Sequence, residues 1–134
     1  MNVSDINVNL TPNIKGKESE IKLKFTTHNE DIRRMHRFQL ILPDCYAGFD
    51  IRKLAIRSSH KVQGSFNKSE CKAEFQFLDD IKKNASIYIV IERSNRILLP
   101  ETNTFRPQFR AGTVLSTKSY EFENVLDLVD EDPM

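Results

Sequence analysis

Ile21-Lys22-Leu23-Lys24-Phe25 decides how the rest of the chain is read. Apolar and charged residues alternate without a break. A period of two sets one side on a core and the other in water, the pattern of a half-buried antiparallel strand. The same rhythm runs through Ile6, Val8 and Leu10, through Phe38, Leu40 and Leu42, and through Cys71, Ala73, Phe75 and Phe77. Ile87-Tyr88-Ile89-Val90-Ile91 is apolar on both faces and reads as a central strand. Shorter strand candidates are Leu54–Ser58, Lys61–Phe66, Arg96–Leu99, Thr113–Ser116 and Ser119–Val125. Turn chemistry separates them at Thr11-Pro12-Asn13, Pro43-Asp44, Gly64-Ser65, Asp79-Asp80 and Ser94-Asn95.

Helix is scarce. Asn29 to His36 has an N-cap residue followed by first-turn acids and reads as two turns. Leu78 to Asn84 reads as one turn more. The expected fold is therefore all-β: an antiparallel β-sandwich or closed β-barrel of about eight to ten short strands with one or two short helical turns. Neither a repeat nor a linker divides the sequence, so a single β domain over residues 1–134 is expected.

Composition removes several classes. At 39% hydrophobic residues the chain is too apolar for disorder, and two cysteines are too few for a disulfide scaffold. The longest apolar run, Ile87–Ile91, is far short of the ~20 residues that a membrane-spanning helix needs. The first residues carry neither a basic region nor an apolar one, so no signal peptide is expected; a cytoplasmic or particle-associated location with reduced thiols follows.

The net charge of +1 conceals a polarity. All 20 Lys and Arg lie at or before Lys118, and residues 1–120 carry an excess of seven positive charges. Glu121, Glu123, Asp127, Asp130, Glu131 and Asp132 then follow without a base. Because Val125, Leu126, Leu128 and Val129 are interspersed with them, residues 121–134 are expected to dock rather than float, acids toward a basic surface of this chain or a neighbouring one. Opposed patches of this kind favour head-to-tail association.

No residue pattern calls for catalysis. His28, His36 and His60 are isolated and the two cysteines are 26 positions apart, so no metal site is expected. Cys45 lies in a turn, Leu42 to Gly48, with no activating neighbour in the sequence. Asp79-Asp80 reads as turn chemistry. The four glycines never cluster into a phosphate cradle, so no cofactor is expected.

Two short stretches resemble known families. Ala47-Gly48-Phe49-Asp50-Ile51 and Arg57-Ser58-Ser59 resemble the first two motifs of dUTP pyrophosphatases, but the gap between them is too short. The Gly-Val-Ile-Asp segment that supplies that family's catalytic Asp is also missing. Arg33-Arg34-Met35-His36-Arg37-Phe38 resembles the Arg-x-x-x-Arg motif of PilZ domains, β-barrels that bind cyclic di-GMP, and stands just before a predicted strand. The resemblance implies that Arg33 and Arg37 clamp ligand phosphates, as forked guanidinium groups do well. The family's second motif is not matched, since Asp50-Ile51-Arg52-Lys53 lacks its Ser and Gly.

The remaining feature is the basic stretch from Arg93 to Lys118. It holds Arg93, Arg96, Arg106, Arg110 and Lys118, with Phe105 and Phe109 each preceding an arginine. Rings beside cations suit either single-stranded nucleic acid or an arm that anchors in a protein partner; the same rings would otherwise dock on their own core. The leading expectation is a non-enzymatic assembly protein that binds protein partners, copies of itself among them, as a structural subunit of a virion or similar particle. The alternatives are a single-stranded nucleic-acid-binding barrel with an acidic regulatory C-terminus and a PilZ-like receptor.

Overall fold

Strands that are apolar on one face need a second sheet to close on, and the chain supplies it. The computed structural model of the protein describes residues 2–28, 36–82, 84–112, 117–122 and 126–131. Eleven strands follow in order: β1 (Asn2–Thr11), β2 (Glu20–His28), β3 (Arg37–Ile41), β4 (Ile56–Ser58), β5 (Val62–Asn67), β6 (Lys72–Phe77), β7 (Ser86–Ile91), β8 (Thr104–Phe105), β9 (Gln108–Gly112), β10 (Thr117–Tyr120) and β11 (Leu126–Asp127). They form a four-stranded sheet ordered β1-β2-β7-β4, a five-stranded sheet ordered β10-β9-β3-β6-β5, and a two-stranded ribbon of β11 and β8. Every strand pair is antiparallel, so the all-β expectation holds.

The alternation in β2 does what its pattern implies. Ile21, Leu23 and Phe25 are buried, and Thr27 continues the same face. Their register partners Ile91, Ile89 and Ile87 on β7 are buried too. Val90 faces the other way between Lys22 of β2 and Arg57 of β4 and is nonetheless buried, because long aliphatic stems flank it on both sides. That accounts for β7 being apolar on both faces.

The edge strand β1 has a less regular pattern: Val3, Ile6 and Val8 are all buried, although positions 3 and 6 differ in parity. A bulge between Ser4 and Asn7, with Asp5 at φ 54°, resets the alternation. Bulges on edge strands also discourage pairing with a foreign strand.

Phenylalanines fasten the two sheets together. Phe38 of β3 stacks on Phe75 at 4.9 Å and meets Phe77 at 5.1 Å within its own sheet. Across the sandwich, Phe25 of β2 reaches Phe38 edge-on at 5.2 Å and Phe109 of β9 at 5.0 Å. Gly64 stands opposite Phe75 in the β5–β6 ladder, where an added Cβ would come within 2.7 Å of the ring. Glycine there is a packing requirement, and the turn expected at Gly64-Ser65 is instead the middle of β5.

Other local expectations change in three dimensions. Leu78 to Lys82 is a bend at Leu78 and Asp79 followed by a bridge residue, Ile81, rather than a helical turn. Arg96–Leu99 is no strand: a single 3-10 turn, Arg93–Asn95, precedes it, and Leu98 makes only isolated bridges. The short strand β8 lies in a stretch, Pro100–Pro107, with few strand signals. The helix expected at 29–36 and the strand expected at Thr113–Ser116 fall wholly or mainly outside the described residues. Among the described residues, no helix is long and apolar enough to cross a membrane.

Candidate interaction surface

One end of the sandwich carries three of the four large hydrophobic residues that the described chain exposes: Tyr46, Phe49 and Val129. Four irregular segments build this end, joined edge to edge by backbone hydrogen bonds. The first is the acidic segment 126–131. Its Val129 bridges Ile14 in the β1–β2 loop, with Lys15 N–H donating to Val129 O at 2.9 Å and Val129 N–H to Asn13 O at 3.0 Å. That loop in turn meets the segment 97–99, where Leu99 N–H donates to Lys17 O at 3.0 Å and Glu18 bridges Leu98. Leu98 finally pairs with Tyr46, each N–H donating to the other's carbonyl, at 2.8 and 3.0 Å.

The pleat of that last pair explains which side chains show. Cys45 and Ala47 point inward and are buried, so Tyr46 between them points out and is 63% exposed. Beyond Gly48 the chain swings past Phe49, 71% exposed, whose neighbours across a small depression of about 230 Å³ include Ser94, Asn95 and Arg96. The 3-10 turn opposite is held firmly. The Asn95 side chain accepts from Ala55 N–H and donates to Ala55 O and Glu92 O, each at 2.8 Å. Arg96 then adopts a left-handed backbone (φ 58°), and its Nε lies 3.7 Å from Glu18.

Charge is mixed across this end. Arg93 and Arg96, both exposed, stand in and just after the 3-10 turn on the Phe49 side, where Glu18 and the exposed Asp44 and Asp50 lie as well. Asp127, Asp130 and Glu131 occupy the Val129 side, where Lys15 meets Asp130 at 2.8 Å and Lys17 meets Glu131 at 3.0 Å. The acidic segment thus meets cations of its own chain, one of the two arrangements expected for it. Leu128 is buried, and its N–H donates to Asn103 O at 2.9 Å. Glu121 is exposed beside Tyr120; Glu123 and Asp132 lie outside the described residues.

The expected stripe from Arg93 to Lys118 does not assemble as one surface. Phe105 and Phe109 are 2% and 0% exposed, so neither ring can stack on a ligand. Both sit on the inner side of their strands because alternation with Arg106 and Arg110 turns the rings to the core and the cations out. Arg110 faces outward on the five-stranded sheet opposite Gln39 and Ser119, whereas Lys118, opposite Ala111, lies on the other face with its Nζ 5.2 Å above the Tyr120 ring. Arg106 is exposed beside a cleft of about 610 Å³ bordered by Pro107, Tyr120 and Phe122. Arg93 and Arg96 belong instead to the end described above. Of the proposed phosphate clamp, Arg33 lies outside the described residues, and Arg37 is engaged by Glu74 at 3.1 Å.

Tyr46 and Phe49 were missed as exposed rings because the exposure of Tyr46 depends on Cys45 and Ala47 pointing inward, and that of Phe49 on the chain leaving this alternation at the bend of Gly48 and Phe49. The available signal was two aromatics in a non-periodic stretch between turn residues. The Cys45 thiol is no nucleophile at neutral pH: burial first, then the neighbouring Cys71 and Asp44, push its pKa up to about 12. Among the described residues, no three His, Cys, Asp or Glu side chains gather to hold a metal ion. Comparisons with protein-family models, with curated proteins and with solved structures found no match for this chain.

Proposed function

We propose that this protein is a non-enzymatic assembly module that docks onto a protein partner through the Tyr46–Phe49 end, as a structural subunit of a virion or similar particle. The observation that supports the reading is the pair of exposed rings on a hydrogen-bonded framework beside Arg93 and Arg96. Tyr, Phe and Arg are the side chains enriched where protein interfaces bury their centres, and a framework fixed beforehand lowers the ordering cost of binding. An isolated exposed ring would need no explanation; two, three residues apart on one rigid loop, favour a surface that is covered in use.

A second reading has its own support. Cations around exposed rings also suit single-stranded nucleic acid, with bases on Tyr46 and Phe49 and phosphates on the arginines. A photo-crosslinking residue placed at Phe49, with Tyr88 on the outer face of the four-stranded sheet as control, separates the two in extract from the native host. The assembly reading expects discrete protein adducts from position 49 and not from 88. Nuclease-sensitive adducts would replace it with the second reading, and equal labelling at both positions would remove both.

A further inference from the structure

Cys45 and Cys71 are 26 positions apart in sequence and neighbours in the fold. Leu42, just past the end of β3, is bonded to the backbone of both. Its N–H donates to Cys71 O at 2.7 Å, and its carbonyl accepts from Cys45 N–H at 3.1 Å. The Cys71 Sγ in turn donates to Cys45 O at 3.0 Å. A disulfide takes Cα atoms roughly 4.4–6.8 Å apart. A sulfur already touching the other cysteine's carbonyl is parted from its partner by side-chain rotation rather than by travel of the backbone. The thiols also sense each other: after burial itself, Cys71 is the next cause that raises the Cys45 pKa. The backbone at position 71 has φ 51°, a left-handed conformation that suits Gly, Asn or Asp, as at Asp5, Asp44 and Asn84. Cysteine gains nothing from that backbone; what it supplies there is a sulfur aimed at Cys45.

We propose that Cys45 and Cys71 are a redox pair that closes to a disulfide when a small-molecule disulfide such as oxidised glutathione is in excess; the inference stands apart from whatever covers Tyr46. Cys71 is half-buried beside the exposed turn residues 67–70 and is the sulfur that a solute reaches. Its thiolate attacks the small disulfide, whose S–S bond breaks. One thiol departs, and Cys71 keeps the other half as a mixed disulfide. The Cys45 sulfur then attacks the Cys71 sulfur and gives its proton to the second departing thiolate, leaving one S–S bond between the two residues. In sum the protein loses two hydrogens and two electrons, and one small disulfide becomes two thiols. A buried, protonated Cys45 slows the second step, so the equilibrium rather than the rate is the informative quantity. The bond joins the Leu42–Gly48 loop, which carries Tyr46, to the turn between β5 and β6. It also removes from the unfolded chain the freedom of everything between the two cysteines.

The test equilibrates the purified full chain with ~1 mM oxidised and ~0.1 mM reduced glutathione at about pH 8, then quenches with acid, alkylates and maps peptides by mass. The expected product is a chain lighter by two hydrogens with one linked peptide pair, carrying Cys45 and Cys71. The bond is expected to form at least ~10-fold more favourably than in the same chain unfolded in guanidinium chloride. The melting temperature is expected to rise by ~5–12 °C over that of the dithiol, and excess dithiothreitol to reverse the shift. Cys71→Ser keeps a donor at the Cys45 carbonyl; it is expected to melt within ~3 °C of the reduced wild type and to ignore glutathione. A folded chain that stays a dithiol, or stops at a mixed disulfide on Cys71, overturns the inference. So do links between chains in place of the internal one, or a bond that closes no better in the folded than in the unfolded chain. A Cys71→Ser protein that gains the same thermal shift from oxidised glutathione overturns it as well.

Discussion

Cys45 shows how a turn position can still be a core position. It stands among Pro, Asp and Gly with no activating neighbour in the sequence, and it is buried against the core while Cys71 donates from its Sγ to the Cys45 carbonyl at 3.0 Å. The consequence is a pH dependence of stability. In the unfolded chain the thiol releases its proton near its ordinary value of 9.0; in the folded chain it keeps the proton up to about 12. Over that interval the folded state holds more protons, so stability falls as pH rises, and below about pH 9 the effect is absent. Urea unfolding of wild type and Cys45→Ala at pH 8 and pH 10.5 should show the gap in stability between the two proteins narrowing at the higher pH. A constant gap would mean that Cys45 titrates like a free thiol. At the same scale, the choice of Tyr46 over Phe105 and Phe109 as an exposed ring turns on one-residue parity, whereas Phe49 is exposed because the bend at Gly48 and Phe49 breaks the alternation. Phe105 and Phe109 alternate with arginines on β8 and β9 and go inward. Tyr46 alternates with the small buried groups Cys45 and Ala47 and goes outward.

Among the elements, the acidic segment is the one whose role changed most. Charge suggests that Asp130 and Glu131 hold it down, but both carboxylates are solvent-exposed and pairs made by such groups contribute about 0–1 kcal/mol. Leu128, buried and flanked by backbone bonds to Asn13, Lys15 and Asn103, is the stronger tie. Asp130→Asn with Glu131→Gln should therefore cost less than ~1 kcal/mol in stability, whereas Leu128→Ala should cost ~2–4 kcal/mol and expose the segment's amides to hydrogen exchange. Native-state exchange with mass spectrometry checks both. The long strands β2, β3 and β6 were legible from alternation because each buries one face over five or more residues, and β7 from its unbroken apolar run. The short elements were not. A bridge at Leu98 or a two-residue ribbon of β8 and β11 leaves no periodic trace, and its existence depends on partners from distant parts of the chain.

For the molecule as a whole, the phenylalanine cluster makes the two sheets one cooperative unit. Phe38 lies at its centre, with Phe25 and Phe109 across or beside it and Phe75 and Phe77 behind. Phe38→Ala is expected to cost ~3–5 kcal/mol and to lower the unfolding midpoint equally by near-UV and far-UV signals, in a single transition. Separate midpoints for the two signals would show that the sheets unfold independently. The net charge of +1, uninformative as a number, becomes informative at this scale because folding sets Asp130 and Glu131 of the acidic segment against Lys15 and Lys17 of the β1–β2 loop. By itself the sequence determined the all-β class, the core face of the long strands and the segregation of acids at the C-terminus, since each is a local pattern of polarity along the chain. Which rings stay in water, where the acidic segment lies and which charges become neighbours were decided only by the tertiary structure. Those outcomes depend on pairings between residues as much as 115 positions apart, such as Ile14 with Val129 and Lys15 with Asp130, for which no local pattern exists.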